Sequence, residues 1–271
     1  MVPWSIEELK RESGARAAAG ELLFQLADDD FIMGYRDQEW LGLAPHIEED
    51  VAFGSIGQEE IGHAALYYRL LEELGFGRAD DLASLRPAEE RRNAVLLEQP
   101  NGTGDYLDNP HFDWAWTIVR HYCHDLWEIA RLEGLRGSRV TPMREAAEKI
   151  LGEKRYHRAH QELWMRTMAS RNGESRERLA SAVAHVGEWA GDLTEWGPAR
   201  KDLIEWGILP DPDGVKAQFR HQLEAFLTVL DVSVPTIRMP FNGREGQHTK
   251  ALTKALEHLS EVYRLDPLAQ W

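Results

Sequence analysis

The chain of 271 residues has one cysteine, Cys123. A lone thiol closes no intramolecular disulfide and builds no thiolate zinc cluster, a usage that fits a reducing cytoplasm. No run approaches the roughly 18 to 20 apolar residues of a membrane-crossing helix. Basic residues are in the minority: 31 Lys and Arg stand against 46 Asp and Glu, a net charge of −15. Nucleic acid is therefore not an expected partner, because phosphate binding needs clustered cations. The opening segment Met1–Glu12 is charged and lacks the apolar core of a signal peptide, so no secretory leader is expected there. No nucleophile elbow and no glycine-rich phosphate loop appears, so the Ser, His and Asp present have no motif that would assemble them.

Strand signals are scarce as well. Ala, Leu, Glu and Arg dominate, and apolar residues recur at spacings of three and four, the helical period. Four long helices are expected. The first runs from about Ser13 to Trp40, with Leu22, Leu23, Leu26, Ile32 and Met33 as its apolar stripe, and Gly42 and Pro45 break it. The second spans about His46 to Leu74 and stops at Gly75 and Gly77. Residues 78–110 are mixed and loop-rich, a connection long enough to cross the length of a bundle. The third helix covers about Asp113 to Leu135. The fourth starts at about Pro142, a residue suited to a first turn, and ends near Ser170. Further helices follow near 175–196, 214–231 and 247–264, with an irregular Pro- and Gly-rich stretch from Val234 to Gly246. No boundary splits the chain. The expectation is one all-α domain over 1–271, a ferritin-like four-helix bundle over about 13–170 with a long crossover, followed by accessory helices.

Glu60-Ile61-Gly62-His63 is an intact Glu-x-x-His, and Lys154-Arg155-Tyr156-His157 is the same motif with lysine for glutamate. Positions i and i+3 share a helix face. Two such motifs on facing helices, with one carboxylate from each of the other two, build a carboxylate-bridged di-iron or di-manganese centre. In antiparallel pairs, residues equidistant from the turn lie level. A turn near residue 45 sets Glu60 level with Asp30, and one near 139 sets Lys154 level with Asp125. Asp30, Glu60, His63, Asp125, Lys154 and His157 are thus expected at similar depth. Carboxylate oxygens and imidazole suit Fe or Mn. A protonated lysine has no lone pair and cannot ligate. The metal positions Asp30, Glu60, His63, Asp125 and His157 therefore read as vestigial, with Lys154 offsetting the repulsion among buried carboxylates. A residual half-site of Asp30, Glu60 and His63 would suit a single Fe or Mn.

Several runs carry a family likeness: Leu26-Ala27-Asp28-Asp29, Glu39-Trp40-Leu41-Gly42, Ala44-Pro45, Glu49-Asp50-Val51-Ala52, Ile56-Gly57 and Gly62. Glu98-Gln99-Pro100-Asn101-Gly102, Asp125-Leu126-Trp127, Glu153 to His157, Gly243 to Thr249 and the terminal Gln270-Trp271 continue it. Together they resemble the bacterial multicomponent phenylacetyl-CoA epoxidase (ring 1,2-epoxidase) family, specifically its C subunits, over nearly the whole chain. The resemblance implies a ferritin-like fold and a structural subunit paired with a catalytic di-iron A subunit. It implies no catalytic residue and no cofactor in this chain, with di-iron in the partner. Residue by residue, Asp30 matches the first-helix carboxylate, Glu60 and His63 the first Glu-x-x-His, Asp125 the third-helix carboxylate and His157 the second histidine. Lys154 stands where the last glutamate would be. One departure is that C subunits commonly lack the Glu60 and His63 pair.

His121, His124, Glu128 and His160 fall near the same part of the third and fourth helices. A second, histidine-rich metal site is conceivable there, although polar core or interface histidines are the commoner case. The ten tryptophans are read mostly as core, with a partner surface as the alternative, since Trp is enriched at interface hot spots. The function expected is a non-catalytic, cytoplasmic subunit supporting ring epoxidation on its partner, with other subunits joining the complex. Two alternatives stand beside it: a ferritin-like metal oxidase or oxygenase active alone, and a homodimeric helical binding module.

Overall fold

A computed structural model describes residues 3–106, 108–171 and 173–269; Gln270 and Trp271, which close the motif runs, lie outside the described residues. The helices in order are α1 (Ile6–Arg11), α2 (Ser13–Gln38), α3 (Ile47–Glu73), α4 (Ala79–Ser84) and α5 (Val95–Glu98). After a hairpin of β1 (Gly102–Asp105) and β2 (Asp108–Phe112) come α6 (Trp114–Leu135), α7 (Thr141–Ser170) and α8 (Glu174–Trp189). The chain continues with α9 (Arg200–Glu205), α10 (Pro212–Val229) and α11 (Lys250–Leu265). The architecture is an all-α, ferritin-like bundle in which α2 pairs with α3, α6 with α7, and α3 meets α7 across the middle.

The long helices form where the period-3.6 pattern is strongest, and two of them exceed it. α6 is buried nearly all round from Ala115 to Leu132, because α7, α8 and α10 each take a face of it. Ile118, Val119, Leu126, Trp127, Ile129 and Leu132 supply the apolar core on these faces. α2 is the other central rod: Leu22, Leu23, Leu26, Ile32 and Met33 are all essentially inaccessible. Trp40, Trp116, Trp127 and Trp196 are buried, and Trp4, Trp114, Trp164, Trp189 and Trp206 pack against the core.

Three consecutive aspartates on α2 point three ways, because successive helical residues turn by 100°. Asp28 faces the crossover and accepts from Tyr68 Oη at 2.6 Å and from the backbone N–H of Arg92 at 2.8 Å, with Arg86 beside it. Asp29 takes both guanidinium nitrogens of Arg244, at 2.8 and 2.9 Å, and the backbone N–H of Ala94 at 2.8 Å. Arg131 Nη2 lies 2.8 Å from Oδ2, the oxygen that also accepts from Arg244 Nη2. Asp30 faces the bundle axis.

The same polar logic fastens the accessory segments. Glu98 accepts from Thr249 N–H at 2.6 Å, from Thr249 Oγ1 at 2.8 Å and from Asn93 at 2.9 Å. Asn101 donates to the Arg36 carbonyl at 2.7 Å and accepts from Thr117 at 3.1 Å. The runs Glu98–Gly102 and Gly243–Thr249 thus tie the crossover and the C-terminal region to α2.

Sequence periodicity does not foresee α1, α4, α5, α9 or the hairpin. Each has few residues, too few for a periodic signal, and tertiary contacts hold it. The segment expected as a helix to 196 ends at Trp189 and continues as 3₁₀ turns.

Breaking a buried ion pair strands the remaining charge. Arg244→Ala is expected to cost about 3 to 5 kcal/mol in denaturant unfolding. Arg238→Ala, which removes a solvent-exposed pair with Glu188, is expected to cost under about 0.5 kcal/mol. Equal losses would contradict the arrangement.

Candidate metal centre

Mid-bundle, α2 contributes Asp30, α3 contributes Glu60, α6 contributes His121, His124, Asp125 and Glu128, and α7 contributes Lys154 and His157. All are fully buried. The four α6 residues lie at i, i+3, i+4 and i+7, one stripe of the helix.

Lys154 Nζ occupies the centre. It lies 2.8 and 2.6 Å from the two oxygens of Glu60, 2.6 Å from Glu128 Oε2 and 3.2 Å from Asp30 Oδ1. His124 Nε2 is at 3.1 Å and Asp125 Oδ1 at 3.6 Å. Two donor groups converge closely enough to hold an ion: Asp30, Glu60, His124 and Glu128 form one, and Glu60, His121 and Asp125 the other. Glu60 belongs to both, as a bridging carboxylate would. The ammonium sits within hydrogen-bonding distance of all four residues of the first group.

Of the positions singled out from the sequence, Asp30, Glu60, Asp125, Lys154 and His157 come together as turn symmetry implied. His157 Nδ1 lies 3.2 Å from Glu60 Oε1, and its Nε2 faces Glu59 at 2.6 Å. His63 stands at the rim: its Nδ1 is 3.8 Å from Glu60 and its Nε2 pairs with Glu153 at 2.5 Å. Neither His63 nor His157 belongs to the two donor groups. The nitrogens that do are His124 and His121, for which, with Glu128, polar core was the commoner expectation. Their one-stripe spacing was the available signal. His160 lies apart and pairs with Glu49 at 2.7 Å.

The charges form a mutually dependent set with acid in excess. Burial opposes the Lys154 charge, but Asp30, Glu128, Glu60 and Asp125 outweigh it and hold its pKa well above the usual lysine value. Burial raises Glu60, yet the Lys154 charge, the hydrogen bond to His157 and the nearby imidazoles of His124 and His63 keep it well below the carboxylate range. Burial also disfavours charged His121, which Asp125 and Asp37 overcome, at 2.8 and 2.9 Å, raising its pKa well above 6.5. His63 is raised to about 9, because the nearby Glu60 carboxylate outweighs the cost of burial. Against these cations stand Asp30, Asp37, Glu60, Asp125 and Glu128. The excess acid shows at two of them: burial lifts Asp30 to about 6 and, with the Asp30 charge, lifts Glu128 to about 7.

As they stand, these residues do not fit a di-metal centre. The ammonium has no lone pair, adds positive charge where a dication would sit, and already takes both oxygens of Glu60.

Glu128 is raised above its ordinary 4.5, so the stability it contributes is full below about pH 4.5 and lost as pH rises through about 7. Glu128→Gln is therefore expected to flatten the fall in melting temperature between about pH 5 and 7. The His63 contribution, raised from 6.5 to about 9, is lost in the higher window and should remain. An unchanged slope between about pH 5 and 7 would contradict the assignment.

Comparison with known proteins agrees with the motif runs. The chain is 28% identical over 249 residues to the C subunit of the 1,2-phenylacetyl-CoA epoxidase of Escherichia coli (strain K12), covering 91% of this chain and 96% of that protein. It also matches the family described as phenylacetic acid catabolic protein over residues 6–271. With the match spanning all four bundle helices and the accessory helices, the chain belongs to the phenylacetic acid catabolic protein family.

Proposed function

We propose that this chain is a non-catalytic, cytoplasmic subunit of a phenylacetyl-CoA epoxidase complex, supporting a ferritin-like sister subunit that holds di-iron. The observation that carries this reading is Lys154 Nζ, seated among Asp30, Glu60, His124 and Glu128. An internal ammonium gives the four helices the cohesion a metal would give, without its redox chemistry. Similarity to the E. coli epoxidase's C subunit supports the assignment to such a complex. The single buried thiol, Cys123, supports a reducing compartment. In this reading, oxygen activation and ring epoxidation belong to the sister chain. This chain supplies a preformed helical body against which that partner packs.

Co-expression with a sister chain carrying two intact Glu-x-x-His motifs tests the proposal. The expected result is a stable complex whose phenylacetyl-CoA turnover requires both chains, with the iron on the sister. Turnover by this chain alone, or two equivalents of iron in it with an oxo-bridge absorption band, would overturn it.

A second test concerns position 154. Lys154→Glu restores the missing carboxylate and removes the cation, and is expected to retain about one equivalent or more of Fe or Mn after desalting. A folded Lys154→Glu protein that stays metal-free would show that something other than the lysine excludes metal.

A further inference from the structure

On the other side of α6 from the lysine cluster lies a cavity of about 320 Å³ between α6, α8 and α10. Its walls are apolar and buried: Val119 and Cys123 from α6, Met165 from α7, Val183 and Val186 from α8, and Leu227 from α10. An engineered apolar cavity of about 150 Å³ takes up benzene, so about twice that volume holds a ring or a medium-length chain. Burial in such walls is the ordinary means by which proteins hold small apolar ligands.

The irregular segment between α10 and α11 roofs this cavity. Val234, Pro235 and Ile237 line it from above. The roof is fixed along one edge, where Arg238 N–H donates to the Gly187 carbonyl at 2.7 Å and Gly191 N–H donates to the Arg238 carbonyl at 3.0 Å. Two glycines make this approach possible: a Cβ on Gly187 would lie 2.6 Å from the Thr236 carbonyl oxygen, and one on Gly191 would lie 2.3 Å from Met239 Cβ. The strap places exposed apolar side chains, Val234 and Ile237 each about half accessible, at the mouth of a cavity.

The rim is charged. Lys216 and Arg220 follow each other by one turn of α10, with Glu224 one turn further. Lys216 is paired with Glu195 at 2.7 Å. Among the described residues, no carboxylate is paired with Arg220. An open guanidinium above an apolar chamber matches a molecule with an apolar body and an anionic end. Arg is the side chain best suited to hold a carboxylate, through its fork of donors.

We propose that this cavity binds a small amphiphilic carboxylate, an aryl-alkanoate or medium-chain fatty acid. The apolar part enters between Val119, Val186 and Leu227, and the carboxylate meets Arg220 at the rim. The site is separate from the lysine cluster and does not depend on the epoxidase assignment.

Calorimetric titration of the full chain with octanoate, 4-phenylbutyrate and 1-octanol tests it. Saturable one-to-one binding of both acids is expected, about fivefold tighter than that of the alcohol, the ratio that one partly exposed charge pair supports. Arg220→Gln should erase the preference for acid over alcohol, and Glu224→Gln should sharpen it. Leu223→Trp, at the half-buried edge of the cavity, should abolish binding of all three while circular dichroism shows the native helix content. No saturable binding in the native chain would overturn the proposal. So would alcohol binding equal to acid binding, or titrations unchanged by a folded Leu223→Trp protein. Calorimetry on the native chain alone decides the first two outcomes.

Discussion

An ammonium buried among carboxylates is the interaction on which the rest of this bundle depends. Asp30, Glu60, Asp125 and Glu128 come from three helices and would repel one another without a cation, at a cost of several kcal/mol for each unpaired buried ion. In ferritin-like proteins two metal ions meet that cost. Here Lys154 Nζ lies within 3.2 Å of Asp30, Glu60 and Glu128. It also draws in α7, the helix that carries it. His121, His157 and His63 supply further positive charge around the cluster, and the remaining excess acid is absorbed as raised pKa values at Asp30 and Glu128.

That arrangement explains why α2 carries three aspartates in a row. One faces the lysine, and the other two fasten what lies outside the bundle. Asp28 holds the crossover through Arg86 and Arg92, and accepts from Tyr68 of α3. Asp29 holds the C-terminal region through Arg244. The accessory helices therefore connect by a short polar path to the same rod that faces the cluster, and a substitution on α2 would be felt at both.

Much of this was legible in the chain. The long helices were readable because each spans many periods, and antiparallel pairing about two turns set Asp30, Glu60, Asp125 and Lys154 at one depth. The substitution of lysine for glutamate at 154 needed no structure to be noticed. Less legible was which nitrogens would face the centre. The Glu-x-x-His motif pointed to His63, but its imidazole Nε2 pairs with Glu153 at 2.5 Å and its Nδ1 stays 3.8 Å from Glu60. His124 on α6 is instead the nitrogen near Lys154, at 3.1 Å. The stripe His121, His124, Asp125, Glu128 in a buried helix was a usable signal, since four ionisable groups on one face need partners. The short helices and the hairpin had no such signal, because side chains distant in sequence hold them, as Asn101 and Glu98 do.

The proposed reading is of a body that keeps a ferritin-like bundle and seats a lysine where a di-metal centre would need a ligand. The most direct test is anomalous diffraction at the iron and manganese edges, from crystals of the native chain grown with each metal. The account predicts no anomalous peak among Asp30, Glu60, His124 and Glu128, and density for the Lys154 side chain reaching their centre. A peak within coordination distance of Glu60, with Lys154 turned away, would contradict it.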